Sequence, residues 1–418
     1  MKNILLISVI IEYDSYIVLV KNDNRDYYVP FQFSCNSFDI DNTAIETKIK
    51  NETGIDVKVT EGLNKFSMND CTIKYFKGAV LDISQISDNN KVVLLDKNLS
   101  PKVKINKFIK SNLENMGYFW DQKFALVHKN NSSGSCRFGI VKSDIDTKIK
   151  KMTNPGINIK TKRTPRLIVS LTSFPDRMYD INYTLYSLLN QSIKPDEIVL
   201  WLGVEQFPNR EDDIPIDVLN MKRFGLTIKW CEDIKSFKKL IPALRDYPDD
   251  VIVTADDDLY YHKNWLKRLY KSYQKYPQHI HCHRSHQIVF KPNGQMEPSS
   301  HWRKLKTGPN VSYKNWIYGG NGVIYPPNTL SKVVFNKELF FKLCPTADDT
   351  WFWAMAVLNG TKIMIVENNL SIVLNTNLKR ALGETDEFVL DKINSTNDNN
   401  QTQIHNVLGY FNLYGQIN

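Results

Sequence analysis

Three consecutive carboxylates, Asp256, Asp257 and Asp258, stand at the end of the apolar run Val251-Ile252-Val253. Adjacent carboxylates repel one another and resist burial, so either open water or a bound cation must compensate them. Hard oxygen donors of this kind favour Mg2+ or Mn2+, ions that commonly bridge a few carboxylates to the phosphates of a substrate. The same residues also suit a solvated acidic turn, with Asp258 capping the segment that begins near Tyr261. A second acidic pair, Asp348-Asp349, opens the apolar stretch containing Trp351, Phe352, Met355, Ala356 and Leu358. A carboxylate there is either a helix N-cap or, in a pocket, a base able to take a proton from a hydroxyl.

His279, His281 and His283 alternate, which puts them on one face of a strand, with His286 close behind. No carboxylate or cysteine on that face completes a metal set, so packing or acceptor contacts are the expected use. The six cysteines, at 35, 71, 136, 231, 282 and 344, lie too far apart for zinc or redox motifs. Reduced thiols in a cytoplasmic protein are expected.

The elements that must position these residues are legible from periodicity. After Pro165, strand-like runs at 166–173, 197–202 and 226–230 alternate with helical stretches at 179–191 and 236–247 before the acidic strand. Ile181, Leu185, Leu188 and Leu189 supply the helical spacing in the first of these helices. Alternation of this length predicts an α/β fold with a mostly parallel sheet and helices on both faces, whose ligands lie beyond the carboxyl ends of the strands.

Ahead of it, residues 1–130 hold strand-like runs at 17–20 and 91–95 and a helical stretch at 43–53 closed by Gly54, an α+β module. Residues 131–164 turn polar and then basic, with Lys148-Ile149-Lys150-Lys151 and Lys160-Thr161-Lys162-Arg163, and are read as a linker to a domain at 165–418. In the 418 residues no apolar run approaches the roughly 20 that a membrane span needs. The opening run Ile4 to Ile11 reads as a strand with no secretion signal. A net charge of +9 suits anionic partners or plain solubility equally.

The segment Tyr27-Tyr28-Val29-Pro30-Phe31 together with Thr43 to Ile55 resembles the framework of a Nudix hydrolase domain. In that signature, carboxylates ahead of the helix-ending glycine hold a metal. Here Thr47 and Lys48 stand at the Arg-Glu positions and Asn51-Glu52 at the Glu-Glu positions, so Glu52 alone survives. A lysine in place of a metal-binding carboxylate opposes cation binding, and the expectation is a degenerate domain that packs or docks.

Residues 166 to about 410 resemble a GT-A fold glycosyltransferase, similar to the bacterial family 2-like enzymes that use nucleotide-sugar donors. The matching pieces are Leu171 to Arg177, Lys238 to Leu244, Asp256-Asp257-Asp258, Tyr318-Gly319-Gly320-Asn321-Gly322 and Ala347 to Trp353. The resemblance implies a metal-dependent, inverting glycosyltransferase moving a sugar from a nucleoside-diphosphate sugar, of UDP type, to a saccharide or glycolipid acceptor. It also implies Mn2+ or Mg2+ held by Asp258 and Asp256, with His405 as a candidate third ligand. Thr172, Ser173 and Pro175 would line a base pocket, Arg177 reach a phosphate, and Asp233, Lys239 and Asp257 join the donor site, although strand alternation would turn Asp257 away from Asp256 and Asp258.

Asp349 would be the base and Asp348 its neighbour. Gly319, Gly320 and Asn321 would let backbone approach a sugar that Trp316 and Trp351 stack upon, although aromatics there serve equally as core. A polar stretch at 391–403 reads as a loop that closes over the donor. Surface-polysaccharide assembly, peripheral membrane contact and no nucleic-acid binding complete the expectation. Two other readings stay open: a nucleotidyltransferase releasing pyrophosphate, and a non-catalytic nucleotide-sugar-binding protein.

Overall fold

The computed structural model describes residues 4–13, 16–21, 28–35, 40–68, 71–80, 92–96, 124–129, 136–140, 142–305, 309–367, 369–370, 374–377 and 399–417. The chain divides into two compact units, one of residues 1–124 with 128–136, the other of 125–127 with 137–418.

The first unit is built on strand β1 (Ile4–Tyr13), which pairs with β2 (Tyr16–Lys21) and runs parallel to β6 (Cys71–Val80). Strands β3 (Tyr28–Val29), β4 (Phe31–Cys35), β5 (Val57–Met68) and β7 (Val92–Asp96) complete a mixed seven-stranded sheet. Helix α1 (Asn42–Thr53) buries Ile45 and Ile49 in one apolar cluster with Ile7, Val9 and Ile11 of β1. It ends where expected, because Gly54 takes the left-handed conformation (φ 73°) and returns its N–H to Lys50 O at 2.8 Å.

In the second unit the four leading strands are β8 (Leu167–Thr172), β9 (Glu197–Gly203), β10 (Leu226–Cys231) and β11 (Val251–Thr254), all parallel. They continue through β12 (Ile280–Cys282), β13 (Asn310–Ser312), β14 (Val323–Tyr325) and β15 (Ile363–Ile365) in the order β10-β9-β8-β11-β14-β12-β15-β13. β14 runs antiparallel to both of its neighbours, so the sheet is mixed.

Side chains alternate along each strand between two cores, one on each face. Leu167, Val169, Leu171, Val251 and Val253 enter one, beneath α2 (Ile181–Leu189) and α3 (Trp265–Lys275). Ile168 and Ile252 enter the other, beneath α4 (Asp348–Leu358) and α5 (Asn399–Phe411). Burial on both faces is why the strand segments read as continuous apolar runs.

Three expectations need correction. The helix expected over 236–247 is a 3-10 turn, Lys235–Lys239, followed by a short helix, Ile241–Asp246. Pro242, lacking an N–H, is tolerated only in that first turn and so marks a restart. The supposed linker 131–164 contains the helix Lys142–Lys150, which belongs to the second unit and whose Lys142 pairs with Asp180. Of the loop expected over 391–403, residues 391–398 lie outside the described residues and Asn399 already begins α5. Among the described residues no helix is long and apolar enough to cross a membrane.

Candidate active site

Beyond the carboxyl ends of β8, β10 and β11 lies a cleft of about 560 Å³. The loop after β8 contributes Thr172, Ser173, Phe174 and Arg177 to its wall, and the turn after β10 contributes Asp233, Lys235, Ser236, Lys238 and Lys239. Asp256, Asp257 and Asp258 form its floor, Trp316, Tyr318 and Gly320 one side, and Asp348 and Asp349 another. Two segments that lie far apart in the chain therefore present carboxylates to one space.

The triplet is fixed from several directions. Asp257 is buried and accepts from Ser173 Oγ and Arg177 Nη1, each at 2.5 Å. Arg177 also lies 3.0 Å from Asp258, so it spans two acids that would otherwise repel. Burial opposes its charge, yet Asp257 and Asp258 outweigh that and hold its pKa above the ordinary arginine range. Asp258 keeps 30% of its side-chain surface open, and its backbone carbonyl accepts from Thr376 N–H at 2.9 Å. Desolvation at the cleft floor raises its pKa to about 6 despite Arg177, with Asp257 and Asp256 adding to the rise. Tyr261 ties the strand tip to the glycine loop: its hydroxyl accepts from Asp256 N–H (2.8 Å) and donates to Gly320 O (3.0 Å).

The centre of the arrangement is Lys239. Its ammonium lies 2.9 Å from Asp256, 3.0 Å from Asp348 and 3.9 Å from Asp349, with only 8% of the side chain exposed. Burial works against this charge, but the three carboxylates together hold its pKa well above the usual lysine value. Its backbone carbonyl is anchored by Ser170 Oγ at 2.6 Å, and Ser170 in turn accepts from the Trp201 indole at 3.0 Å. Neighbouring Lys238 is also buried and pairs with Asp233 and Gln206.

Asp348 and Asp349 open α4 but neither caps it. Asp349 instead accepts from Gly319 N–H at 2.8 Å, across the cleft wall. A Cβ on Gly319 would fall 2.2 Å from Asp349 Oδ1, so that approach requires glycine. Burial pushes Asp349 up to about 7; Lys239 pulls the other way, and Asp348 and Asp256 add to the rise. A carboxyl in that range can exchange a proton with a hydroxyl near neutrality.

Several expected residues lie elsewhere. Trp351 is fully buried in the core under α4 and donates to Val334 O at 3.1 Å, so it cannot stack on a sugar in the cleft. His405 is exposed on α5, bonded to Tyr414 and Gln401, and is not among the cleft residues. Pro175 faces a separate cavity of about 400 Å³ with Tyr179, Gln206 and Phe207. Asn321 is buried, its carbonyl accepting from the Trp265 indole (2.6 Å) and its amide donating to Leu370 O (3.2 Å). Asp257, expected to turn away from its neighbours by strand alternation, faces the cleft because β11 ends at Thr254.

His281 and His283 pack internally, bonded to Ser272 and Tyr276, and to Trp265 and Leu370; burial lowers them to about 4 and about 3. Tyr261, Gln206, Thr346 and Asn400 also shape the site, and no spacing rule singles them out.

Six aspartates and four cationic side chains line the cleft, a deficit of two positive charges. Among the described residues no three His, Cys, Asp or Glu groups converge on one metal position. Asp256 and Asp258 offer hard oxygen donors of the kind a divalent cation takes, each paired here with a cationic side chain, Lys239 at 2.9 Å and Arg177 at 3.0 Å, whereas His405 lies outside the cleft.

No protein-family model and no curated protein matches the chain. Among solved structures, part of the chain is similar to a Nudix hydrolase from Nitrosomonas europaea: 14% identity, 27% of this chain, 69% of that one, TM-score 0.24. A Nudix-family hydrolase from Clostridium perfringens gives 10% identity over 28% and 96%, TM-score 0.23. An ADP-ribose pyrophosphatase from Streptococcus suis gives 14% over 28% and 93%, TM-score 0.22.

Proposed function

We propose that the second unit is a GT-A-type glycosyltransferase that moves a sugar from a nucleoside-diphosphate sugar to a hydroxyl of a saccharide or glycolipid. The observation that carries this reading is the sharing of Lys239 by Asp256 on one side and Asp348 and Asp349 on the other. A donor held over the strand tip and an acceptor beside α4 would then face each other across one cleft.

In this reading Asp349 accepts the proton of the acceptor hydroxyl. The acceptor oxygen forms a bond to the anomeric carbon as the bond to the diphosphate oxygen breaks, and the nucleoside diphosphate leaves with that electron pair. Attack opposite the leaving group inverts the anomer. Asp256 and Asp258 would hold Mn2+ or Mg2+, which when bound supplies positive charge to the departing diphosphate. Arg177 and Ser173 hold Asp257, and through it the loop geometry. Thr172 and Ser173 line the side toward a base, and Trp316 and Tyr318 the side toward a sugar.

The first unit is, in the same reading, a degenerate Nudix-like module without hydrolytic activity. Lys48 pairs with Glu52 at 2.9 Å, so the one surviving signature acid already has a cation.

A thermal-shift screen of nucleotides and nucleotide sugars with and without Mn2+ tests the reading. Stabilisation that requires both metal and a nucleoside diphosphate or its sugar, followed by diphosphate release with an acceptor, is expected. Pyrophosphate release from a nucleoside triphosphate, or no metal-dependent binding, would replace it.

A further inference from the structure

Helix α3 (Trp265–Lys275) carries charge that the cleft does not use. From residue 259 to 296 the chain has seven Lys and Arg and no Asp or Glu. Lys267, Lys271 and Lys275 recur every four residues along α3, a spacing that lines them along one side of the helix over about 12 Å, and Lys263 stands just ahead of its first turn. Among the described residues no carboxylate comes within ion-pair distance of Lys267, Lys271 or Lys275. Lys271 and Lys275 are exposed.

The opposite side of α3 is sunk into the unit, with Trp265, Leu266 and Leu269 buried, so the stripe is held rigidly outward. Half-buried Tyr270 and Tyr273, with rings 5.9 Å apart, stand on the same helix and present an apolar body with a polar tip.

We propose that this lysine stripe is an electrostatic docking surface for anionic membrane headgroups. Lysines are compact point charges suited to diffuse phosphate and carboxylate surfaces, and tyrosine is at home at a membrane interface. Helix α3 donates its Trp265 indole to Asn321, in the loop whose Gly320 borders the cleft, so docking here would hold that cleft near a lipid-borne acceptor. The docking itself stands independently of the glycosyltransferase reading.

The test is co-sedimentation of the full chain with phosphatidylcholine vesicles and with vesicles containing phosphatidylserine, at low and high salt. Binding to the anionic vesicles alone, weakened by salt, is expected. The triple variant Lys267→Gln, Lys271→Gln, Lys275→Gln should lose about a hundredfold in partitioning, at roughly a factor of five per lysine. Its melting temperature should match the parent, because all three positions lie on the outward side of the helix. Equal binding to neutral vesicles, no binding to anionic ones, an unchanged variant, or displacement of the vesicles by duplex DNA would each overturn the proposal.

Discussion

The buried ammonium of Lys239 lies 3.0 Å from the carboxylate of Asp348, and that one contact joins the turn after β10 to the start of α4. Because Asp256 shares the same ammonium, removing it leaves like charges facing one another in a desolvated space. Lys239→Met should cost about 3–5 kcal/mol, the usual size for stranding a buried charge. The loss should be largest near about pH 8 and shrink toward about pH 5, as Asp349, which burial already lifts to about 7, takes up its proton. Urea midpoints at the two pH values measure it, and a variant as stable as the parent at both would remove Lys239 from its central place.

Asp258→Asn tests the acidic tip. The amide can still accept from Arg177 but carries no charge, so the fold should persist while metal-dependent donor turnover falls roughly hundredfold or more. Unchanged turnover in an enzyme assay would defeat the assignment of the strand tip to the donor.

Burial lifts Asp349 to about 7, against about 3.9 in an unfolded chain. A raised folded-state pKa means that the native state binds the proton more tightly. Its stabilising contribution is therefore complete below about pH 4 and is lost as pH climbs through about 7. Asp349→Asn cannot ionise, so relative to the parent it should become more stable as pH rises from about 5 to about 8, by denaturant titration. Turnover by the parent should rise through the same interval, and the variant should lose about 10² to 10⁴ in rate.

Two glycines in one loop should fail differently. A Cβ at Gly319 meets Asp349 Oδ1 at 2.2 Å, whereas at Gly322, with φ +96°, it meets the Trp265 ring at 2.3 Å. Gly319→Ala should displace the carboxylate and cost mainly activity. Gly322→Ala combines backbone strain with overpacking and should cost about 2–4 kcal/mol of stability, read from its melting curve.

In the first unit, Glu52→Gln should change stability by less than about 0.5 kcal/mol, because its ion pair with Lys48 is an exposed one-turn pair. Hydrolysis of nucleoside-diphosphate derivatives should be undetectable in both parent and variant. Measurable hydrolysis that vanished in the variant would restore a catalytic role.

The parallel strands and the acidic tip were readable because burial on both faces enforces unbroken apolar runs, and Val251 to Val253 has one. Lys239 was legible only as a position, since a lysine pair beside a helix is ordinarily solvated. Its burial follows from three carboxylates brought in from two distant segments, which no local pattern encodes. Trp351 misled for the complementary reason: an aromatic after an acidic pair looks alike whether it faces a ligand or a core. Asp257 was misplaced because alternation was carried past Thr254, where the strand ends.

In β14, Val323 pairs with Thr254, and the two chains run on from there to Gly320 and Asp256, where a Cβ on the glycine would come within 3.1 Å of the carboxylate. Ladder hydrogen bonds in mid-sheet, more than adaptable loops, hold these two edges of the site together. Amide protons of Thr254 and Val323 should thus rank among the slowest to exchange with deuterium, and heat inactivation should coincide with loss of the whole sheet.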